Sequence, residues 1–205
     1  MHLEILSDRQ RELLAFIAQF KQDFYLVGGT AIALHIGHRQ SIDFDLFTKK
    51  KLKKSTIKQR VFELPYSQKI LFDDTDQIHF YIHDVKVTFF IYPYPVKHPE
   101  MLNDVISMPS LISLAAMKAF ALGRRAKWKD YVDLYFLLKN HFSIKEISAE
   151  AKQIFGQLFS EKLFRTQLAF HKDIDYSESV EFLHGFEVKE QEVKNFLIDK
   201  SLEGI

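Results

Sequence analysis

Residues 26–34 have the sequence LVGGTAIAL, and residues 38–47 have the sequence HRQSIDFDLF. The apolar run before the glycines predicts a buried strand. Gly28 and Gly29 permit a tight turn in which the backbone can approach a ligand, and Thr30 is placed to cap the helix that follows. Because backbone N–H groups at the start of a helix attract anions, this turn is suited to holding phosphate.

The second of these stretches predicts a strand that carries two acids. Asp43 and Asp45 are separated by one residue, so the two-residue period of a strand turns both carboxylates to one face. Alternate residues of a strand lie roughly 6.5 Å apart, which lets two carboxylates share one or two Mg²⁺ ions. An isolated Asp-x-Asp would favour the ordinary explanation, which is a surface strand with two solvated carboxylates or an edge strand protected by charge. The glycine turn upstream favours the metal site.

These two features together resemble the signature of the DNA polymerase β-type nucleotidyltransferases. More narrowly, residues 24–47, a later lysine-bearing helix and the segment WKDYVDLYFLL at 128–138 are similar to the AbiEii/AbiGii-type nucleotidyltransferase toxins. The similarity covers the chain from about Leu3 to Leu138. It implies an α/β (α+β) fold: a polymerase β-like nucleotidyltransferase palm with a small mixed sheet, followed by a C-terminal helical region.

The resemblance also implies an activity. A member of this family would transfer a nucleotide from an NTP to a hydroxyl of an acceptor, either an RNA or tRNA 3′ end or a protein, with Mg²⁺ held by Asp43 and Asp45. It would serve as the toxin of a toxin–antitoxin or phage-defence system, with a cognate antitoxin as partner. The alternative is a catalytically degenerate module that binds a nucleotide or a partner protein.

The same resemblance implies the site residues. Lys118 lies in an otherwise apolar helix, where a solvent-facing lysine is the ordinary explanation; turned toward the sheet, it would place a point charge on the triphosphate. Asp130 would assist metal binding or accept the proton of the attacking hydroxyl, and Asp133, on the same helical face, is the alternative. The nucleotide-binding set is Gly28, Gly29, Thr30, Arg39, Ser41 and Lys118, and the catalytic set is Asp43, Asp45, Lys118 and Asp130.

Two members of this set have an equally good ordinary explanation. Arg39 and Ser41 match positions common in the AbiEii-like toxins, but a surface arginine and a strand-entry serine would explain them as well. One position departs from the polymerase β pattern. A neighbouring strand would carry a third carboxylate, and that position holds Thr88, a much poorer magnesium ligand. Thr88 therefore keeps the degenerate module open.

A basic segment, Lys49 to Lys54, follows the carboxylate strand and is expected at the rim of the cleft. Solvated lysines on a loop are the default interpretation, but a cationic rim would attract an RNA backbone. Arg124, Arg125, Lys127 and Lys129 are expected to add to this rim.

Composition sets further bounds. The 205 residues carry a formal net charge of +1, so any RNA contact has to come from a local patch. The chain has no cysteine, which excludes disulfides and thiolate zinc sites. No apolar run approaches the roughly 20 residues of a membrane span, and the first residues lack the apolar stretch of a signal peptide. We therefore expect a cytoplasmic protein that does not bind membranes.

Local signals predict the remaining elements. Ser7 is placed to cap a first helix, and Ser143 with Glu146 forms a capping box before a later one. A tight turn at His83 and Asp84 is expected to join two strands. Prolines at 93–99 predict the end of the sheet, which divides the chain into a palm, 1–105, and a helical region, 106–205, that packs on the palm and closes the cleft.

Overall fold

A mixed seven-stranded sheet forms the centre of the fold in a computed structural model that describes residues 1–204. The strands are β1 (Tyr25–Val27), β2 (Asp43–Thr48), β3 (Gln68–Asp74), β4 (Gln77–Ile82), β5 (Val85–Ile91), β6 (Glu100–Leu102) and β7 (Ile106–Met108). They lie in the order β3-β4-β5-β2-β1-β7-β6. The aspartate strand β2 pairs antiparallel with β1 and parallel with β5. Because both of its sides are hydrogen-bonded, the edge-strand explanation of the two acids is wrong.

Eight α-helices within the described residues pack around the sheet. They are α1 (Asp8–Ala18), α2 (Gly28–Ile36), α3 (Lys54–Phe62), α4 (Leu111–Leu122), α5 (Trp128–Asn140), α6 (Ile144–Phe155), α7 (Glu161–Ala169) and α8 (Glu190–Leu202). Ser7 caps α1, and Ser143 with Glu146 forms the capping box of α6, so both predicted helix starts are confirmed. None of these helices is long and apolar enough to span a bilayer.

The two faces of the sheet differ in polarity. On one face Leu46 of β2 is fully buried beside its register partner Phe89 of β5. The Phe89 ring lies 4.8 Å, centroid to centroid, from Phe20 just after α1. On the other face Asp43 and Asp45 are only partly buried. The predicted alternation along β2 is therefore confirmed, and it separates a buried aromatic core from the face that carries the two acids.

The hairpin of β4 and β5 turns at the predicted residues. His83 and Asp84 have φ angles of 50° and 60°. A two-residue turn of type I′ requires positive φ at both central positions, and its twist matches that of the strands it joins. The turn holds the two strands in a register that runs from Gln77 opposite Phe90 to Ile82 opposite Val85.

The sheet continues past the predicted division of the chain. The division predicted between residues 105 and 106 falls inside the hairpin of β6 and β7, and β7 also pairs with β1. The sheet therefore ends at Met108, and α4 begins at Leu111. Whether these two parts are separate units stays a prediction. Between α7 and α8, residues 170–189 form neither helix nor strand except for isolated bridges to Arg39 and Lys127.

We predict that Phe89→Ala lowers the free energy of unfolding by about 3–5 kcal/mol, because it leaves a cavity among tightly packed rings. Phe62→Ala is the matched control, since the Phe62 side chain is 53% exposed, and it should change stability by less than about 0.5 kcal/mol. Urea denaturation followed by circular dichroism measures both. Equal losses in the two variants would contradict this placement of the core.

Candidate active site

Asp45 lies directly against the glycine turn. The register of β1 and β2 places Val27, the last residue before the turn, opposite Asp45. Gly28 has a φ of 77°, and a Cβ atom at this position would come within 2.3 Å of Asp45 Oδ2. Only glycine provides both this left-handed backbone and the space for the carboxylate. The turn and the carboxylate strand therefore meet at one point.

Three buried polar side chains contact the turn and the residues next to it. A Cβ atom at Gly29 would lie 2.4 Å from Arg39 Nη2 and 3.3 Å from Ser41 Oγ. Thr30 Oγ1 is within hydrogen-bond distance of Ser41 Oγ, at 2.9 Å, and of the carbonyl oxygen of Asp43. These contacts fix the start of α2 on the residues that lead into β2.

The predicted cap by Thr30 is wrong. The helix α2 already begins at Gly28, so Thr30 is inside it, and no side chain caps its start. Arg39, Ser41 and Thr30 are all buried, and none of them lines the cavity of about 540 Å³ that opens next to the turn. The structure therefore does not support the expected direct contacts of these three side chains with a nucleotide. Each side chain instead holds the turn in place.

A cavity of about 540 Å³ opens over the sheet face that carries Asp45. Its volume is within the usual range for small-molecule sites, roughly 300–1,000 Å³. Strands β2, β4 and β5 form its floor, and α4 forms one wall. The residues with polar groups on its surface include Gly28, Asp45, Gln77, His79, Lys86, Thr88, Lys118, Arg124 and Arg125.

Lys118 extends from α4 into a buried ion-pair network at the edge of this cavity. Its Nζ atom lies 2.7 Å from Asp130 Oδ1 and 2.9 Å from Asp133 Oδ2, and the side chain is 5% exposed. Burial opposes the charge, but the attraction of the two carboxylates outweighs it and raises the pKa of Lys118. The solvent-facing explanation of this lysine is therefore wrong.

Asp133 is the most enclosed carboxylate of the network. Arg39 contacts it with both ends of its guanidinium, Nε at 2.7 Å from Oδ1 and Nη2 at 2.9 Å from Oδ2. His38 Nε2 lies 2.7 Å from the same Oδ1. Burial opposes the charge, but Arg39, Lys118 and His38 together hold the pKa of Asp133 well below its usual value. Asp133 thus joins the segment before β2 to α4 and α5.

Asp130 is fully buried and has both oxygens engaged. Oδ1 accepts from Lys118, and Oδ2 lies 2.9 Å from Arg125 Nε. Burial acts to raise the pKa of Asp130, but the two cations outweigh it and lower the pKa. A carboxylate whose pKa is lowered and whose two oxygens both accept from cations is a poor proton acceptor. The contacts of Asp130 are those of a residue that positions Lys118. They do not suit the expected transfer of a proton to Asp130.

Asp43 lies beside the cavity and does not line it. Its Oδ2 atom is 3.7 Å from Lys129 Nζ. Burial raises the pKa of Asp43; the Lys129 charge acts against this, and the Asp45 charge adds to it. The negative charge of Asp45 therefore acts on Asp43, and a cation bound between the two carboxylates would offset this repulsion.

Glu178 is a charged residue of the site that no sequence signal indicated. Its carboxylate contacts both Lys127 and Lys129. Burial opposes the charge, but these two lysines lower the pKa of Glu178 to about 2. Main-chain bonds hold its segment on both sides: Asp175 N–H donates to Ala126 O at 2.7 Å, and Gln40 N–H donates to Glu181 O at 2.8 Å.

The predicted magnesium site would have two strand aspartates and no third carboxylate from β5. Thr88 is the register partner of Asp45, so the departure from the polymerase β pattern is confirmed, and its buried Oγ1 has no hydrogen-bond partner among the described residues. No group of three or more His, Cys, Asp or Glu side chains within residues 1–204 is arranged for a metal ion. Mg²⁺ is usually bound by one or two carboxylates, with water and substrate phosphates completing its shell.

The expected rim position of Lys49 to Lys54 is wrong. Lysines of this segment line a smaller cavity of about 230 Å³, together with Thr48 at the far end of β2, and none lines the large cavity. Because β2 runs away from the glycine turn, residues after Thr48 are carried to the other end of the sheet. The cationic groups of the large cavity are Lys86, Lys118, Arg124 and Arg125.

A family model described as the nucleotidyl transferase AbiEii toxin of type IV toxin–antitoxin systems matches residues 12–197. The chain belongs to this AbiEii family. The resemblance seen in the glycine turn and the Asp-x-Asp strand is therefore confirmed, and it extends well beyond Leu138 into the last helices.

Other proteins are similar to this AbiEii family member in sequence or in fold. An uncharacterized protein of Aquifex aeolicus strain VF5 is 34% identical over 195 residues, which cover 92% of this chain and 86% of the relative. MenT4, a nucleotidyltransferase toxin of Mycobacterium tuberculosis H37Rv, has a similar fold with a TM-score of 0.63 at 11% identity, covering 94% of this chain and 80% of its own. JHP933 from Helicobacter pylori also has a similar fold, with a TM-score of 0.54 at 17% identity. The match covers 96% of this chain and 91% of JHP933. The predicted nucleotidyltransferase fold is confirmed.

We predict that Asp133→Asn lowers the free energy of unfolding by about 3–5 kcal/mol at pH 7, because it leaves Arg39 and Lys118 buried without their shared anion. Asp199→Asn, at an exposed site on α8, is the control and should change stability by less than about 0.5 kcal/mol. Thermal and urea unfolding measure both.

The gap between wild type and Asp133→Asn should depend on pH. Folding lowers the pKa of Asp133, so its contribution is complete above the unfolded carboxyl pKa of about 3.9 and is lost as the pH falls toward the folded value. A gap that stays constant into strong acid would contradict the ionic origin of this stabilisation.

Proposed function

We propose that this AbiEii family member is a Mg²⁺-dependent nucleotidyltransferase that transfers a nucleotide from an NTP to a hydroxyl acceptor. One observation carries the proposal: Gly28 adopts a left-handed turn in contact with Asp45, at the edge of a cavity that Lys118 and Arg125 line with positive charge. A phosphate-binding turn, a carboxylate and cationic side chains are the groups that a bound triphosphate requires.

Each group has a part in this reaction. Backbone N–H groups at the start of α2 would bind the terminal phosphates, and Lys118 would offset charge on the departing pyrophosphate. Asp43 and Asp45 would hold Mg²⁺, which supplies charge neutralisation and orientation at the α-phosphate. The acceptor oxygen forms a bond to the α-phosphorus as the bond to pyrophosphate breaks, and the hydroxyl proton passes to solvent.

The acceptor would approach from the Asp43 side, where Lys127 and Lys129 stand beside Glu178. Such cations favour an anionic acceptor, so an RNA 3′ end such as that of tRNA is our first choice, with a protein hydroxyl as the second. As the toxin of a type IV system, the protein would be controlled by a cognate antitoxin.

A specific observation favours a second function. Thr88 stands where a third carboxylate would be, and Lys129 already neutralises part of the Asp43 charge. In a catalytically degenerate module, these features would leave nucleotide binding without transfer. Binding and transfer therefore have to be measured separately.

The first test is transfer of label from each of four α-³²P-labelled NTPs to total RNA or protein in the presence of Mg²⁺. We expect the label to enter RNA, and we expect the Asp43→Asn, Asp45→Asn double variant to lose at least about 10³-fold in rate, because charge neutralisation supplies most of the rate. Asp199→Asn should retain full rate. NTP binding without label transfer to either acceptor would support the degenerate module instead.

The second test concerns the glycine turn. Gly28→Ala forces a Cβ atom onto Asp45, whereas Gly185→Ala, at a φ of 89°, places one in open space. Both variants should pay a similar backbone strain of about 1 kcal/mol. Only Gly28→Ala should abolish the rise in melting temperature produced by Mg²⁺ with an NTP. An unchanged rise in Gly28→Ala would contradict phosphate binding at this turn.

A further inference from the structure

The floor of the large cavity is an ordered grid of side chains from three neighbouring strands. The register of β2 with β5, and of β5 with β4, aligns residues in rows across the sheet. Residues in one row on the same face lie side by side, and successive rows on that face are two residues apart along each strand. One row consists of Asp45, Thr88 and His79, and the next consists of Phe47, Phe90 and Gln77.

The second row has an aromatic surface. The ring centroids of Phe47 and Phe90 are 5.1 Å apart, and Tyr92 lies 4.9 Å from Phe47. All three rings line the cavity and are only partly buried. The core on the opposite face of the sheet does not need these rings, because it is formed by the other set of alternating residues. Their exposed surface is therefore available to a planar ligand.

The wall opposite these rings is held rigidly. The Arg124 guanidinium lies 3.6 Å from the centroid of the Phe120 ring, and it donates to the Phe120 carbonyl oxygen at 3.0 Å. The Phe120 ring stacks in turn on Phe155, with centroids 3.8 Å apart and an interplanar angle of 2°. Met117 completes this wall. The cavity thus lies between an aromatic floor and a wall that carries a flat cation.

Gln77 supplies a polar edge at the end of the aromatic row. Its Oε1 atom lies 2.8 Å from His79 Nε2 on the same strand, which orients the amide. A glutamine amide offers both donors and an acceptor, the groups that can distinguish the edges of the bases. Polar groups and stacking surface are therefore present together, one row from Asp45.

We propose that the row of Phe47, Phe90 and Gln77 is the nucleobase subsite, with the base stacked on Phe90 and its edge toward Gln77. The inference rests on the proposed function, because it takes the phosphates to lie at Gly28 and Asp45. One row along a strand is roughly 6.5 Å, a distance that a ribose spans between the α-phosphate and the base. Aromatic stacking accepts every base, whereas the Gln77 amide would set the preference among the four.

Calorimetric titration with Mg²⁺-tripolyphosphate and with each Mg²⁺-NTP tests this subsite. Because stacking on an aromatic ring has a substantial free energy, the wild type should bind at least one NTP roughly 5- to 100-fold more tightly than tripolyphosphate. Phe90→Leu keeps the apolar volume and should lose most of that preference, while tripolyphosphate binding stays within about twofold. Gln77→Leu should change the ranking of the four NTPs.

Phe62→Ala is the matched control, because Phe62 is exposed on α3 and does not line the cavity. It should bind both ligands as the wild type does. Equal affinities of the wild type for tripolyphosphate and all four NTPs, or an unchanged NTP preference in Phe90→Leu, would overturn the base subsite while leaving the phosphate site intact. A preference for NTPs that depends on Phe90, in a protein that transfers no label, would support the subsite and reject the transferase. Binding of neither ligand would reject both.

Discussion

The fold depends on one group of buried charges. Asp133 has no exposed surface, and it is surrounded by Arg39, His38 and Lys118 from other parts of the chain. A buried ion that loses its partner costs several kcal/mol, so these groups are stable only when all of them are in place. This ion-pair network therefore fixes the segment that leads into β2 against the helices α4 and α5.

The same ion-pair network determines the geometry of the site. Arg39, held by Asp133, fills the space below Gly29, and Lys118, held by Asp133 and Asp130, stands at the edge of the cavity. Interior charges are costly to move, which keeps the turn and the lysine at fixed positions relative to β2. Arg39 and Lys118, which the family resemblance associates with a nucleotide, thus serve first as structural supports. The sheet and α4 supply the surface of the cavity.

Local signals predicted the parts of the site that local physics controls. The positive φ of Gly28 follows from the turn, and the shared face of Asp43 and Asp45 follows from the strand period. Distant contacts escaped prediction for the opposite reason. Glu178 reaches the site only because its segment pairs with main-chain groups near residues 40 and 126, and no spacing in the sequence encodes that pairing. The position of the lysines after Thr48 depends on the direction of β2 relative to the turn, which no local signal in the sequence gives.

The sequence by itself determined the glycine turn, the carboxylate strand and the capped starts of α1 and α6, because each follows from spacings within a few residues. It also carried the resemblance to the AbiEii family, whose model matches residues 12–197. Only the tertiary structure decided which groups face the cavity. The cross-strand register aligned Asp45 with Thr88 and Phe47 with Phe90, and helix packing turned Lys118 inward. Register and packing arise from contacts between residues far apart in the chain, so they become visible only when the whole chain is folded.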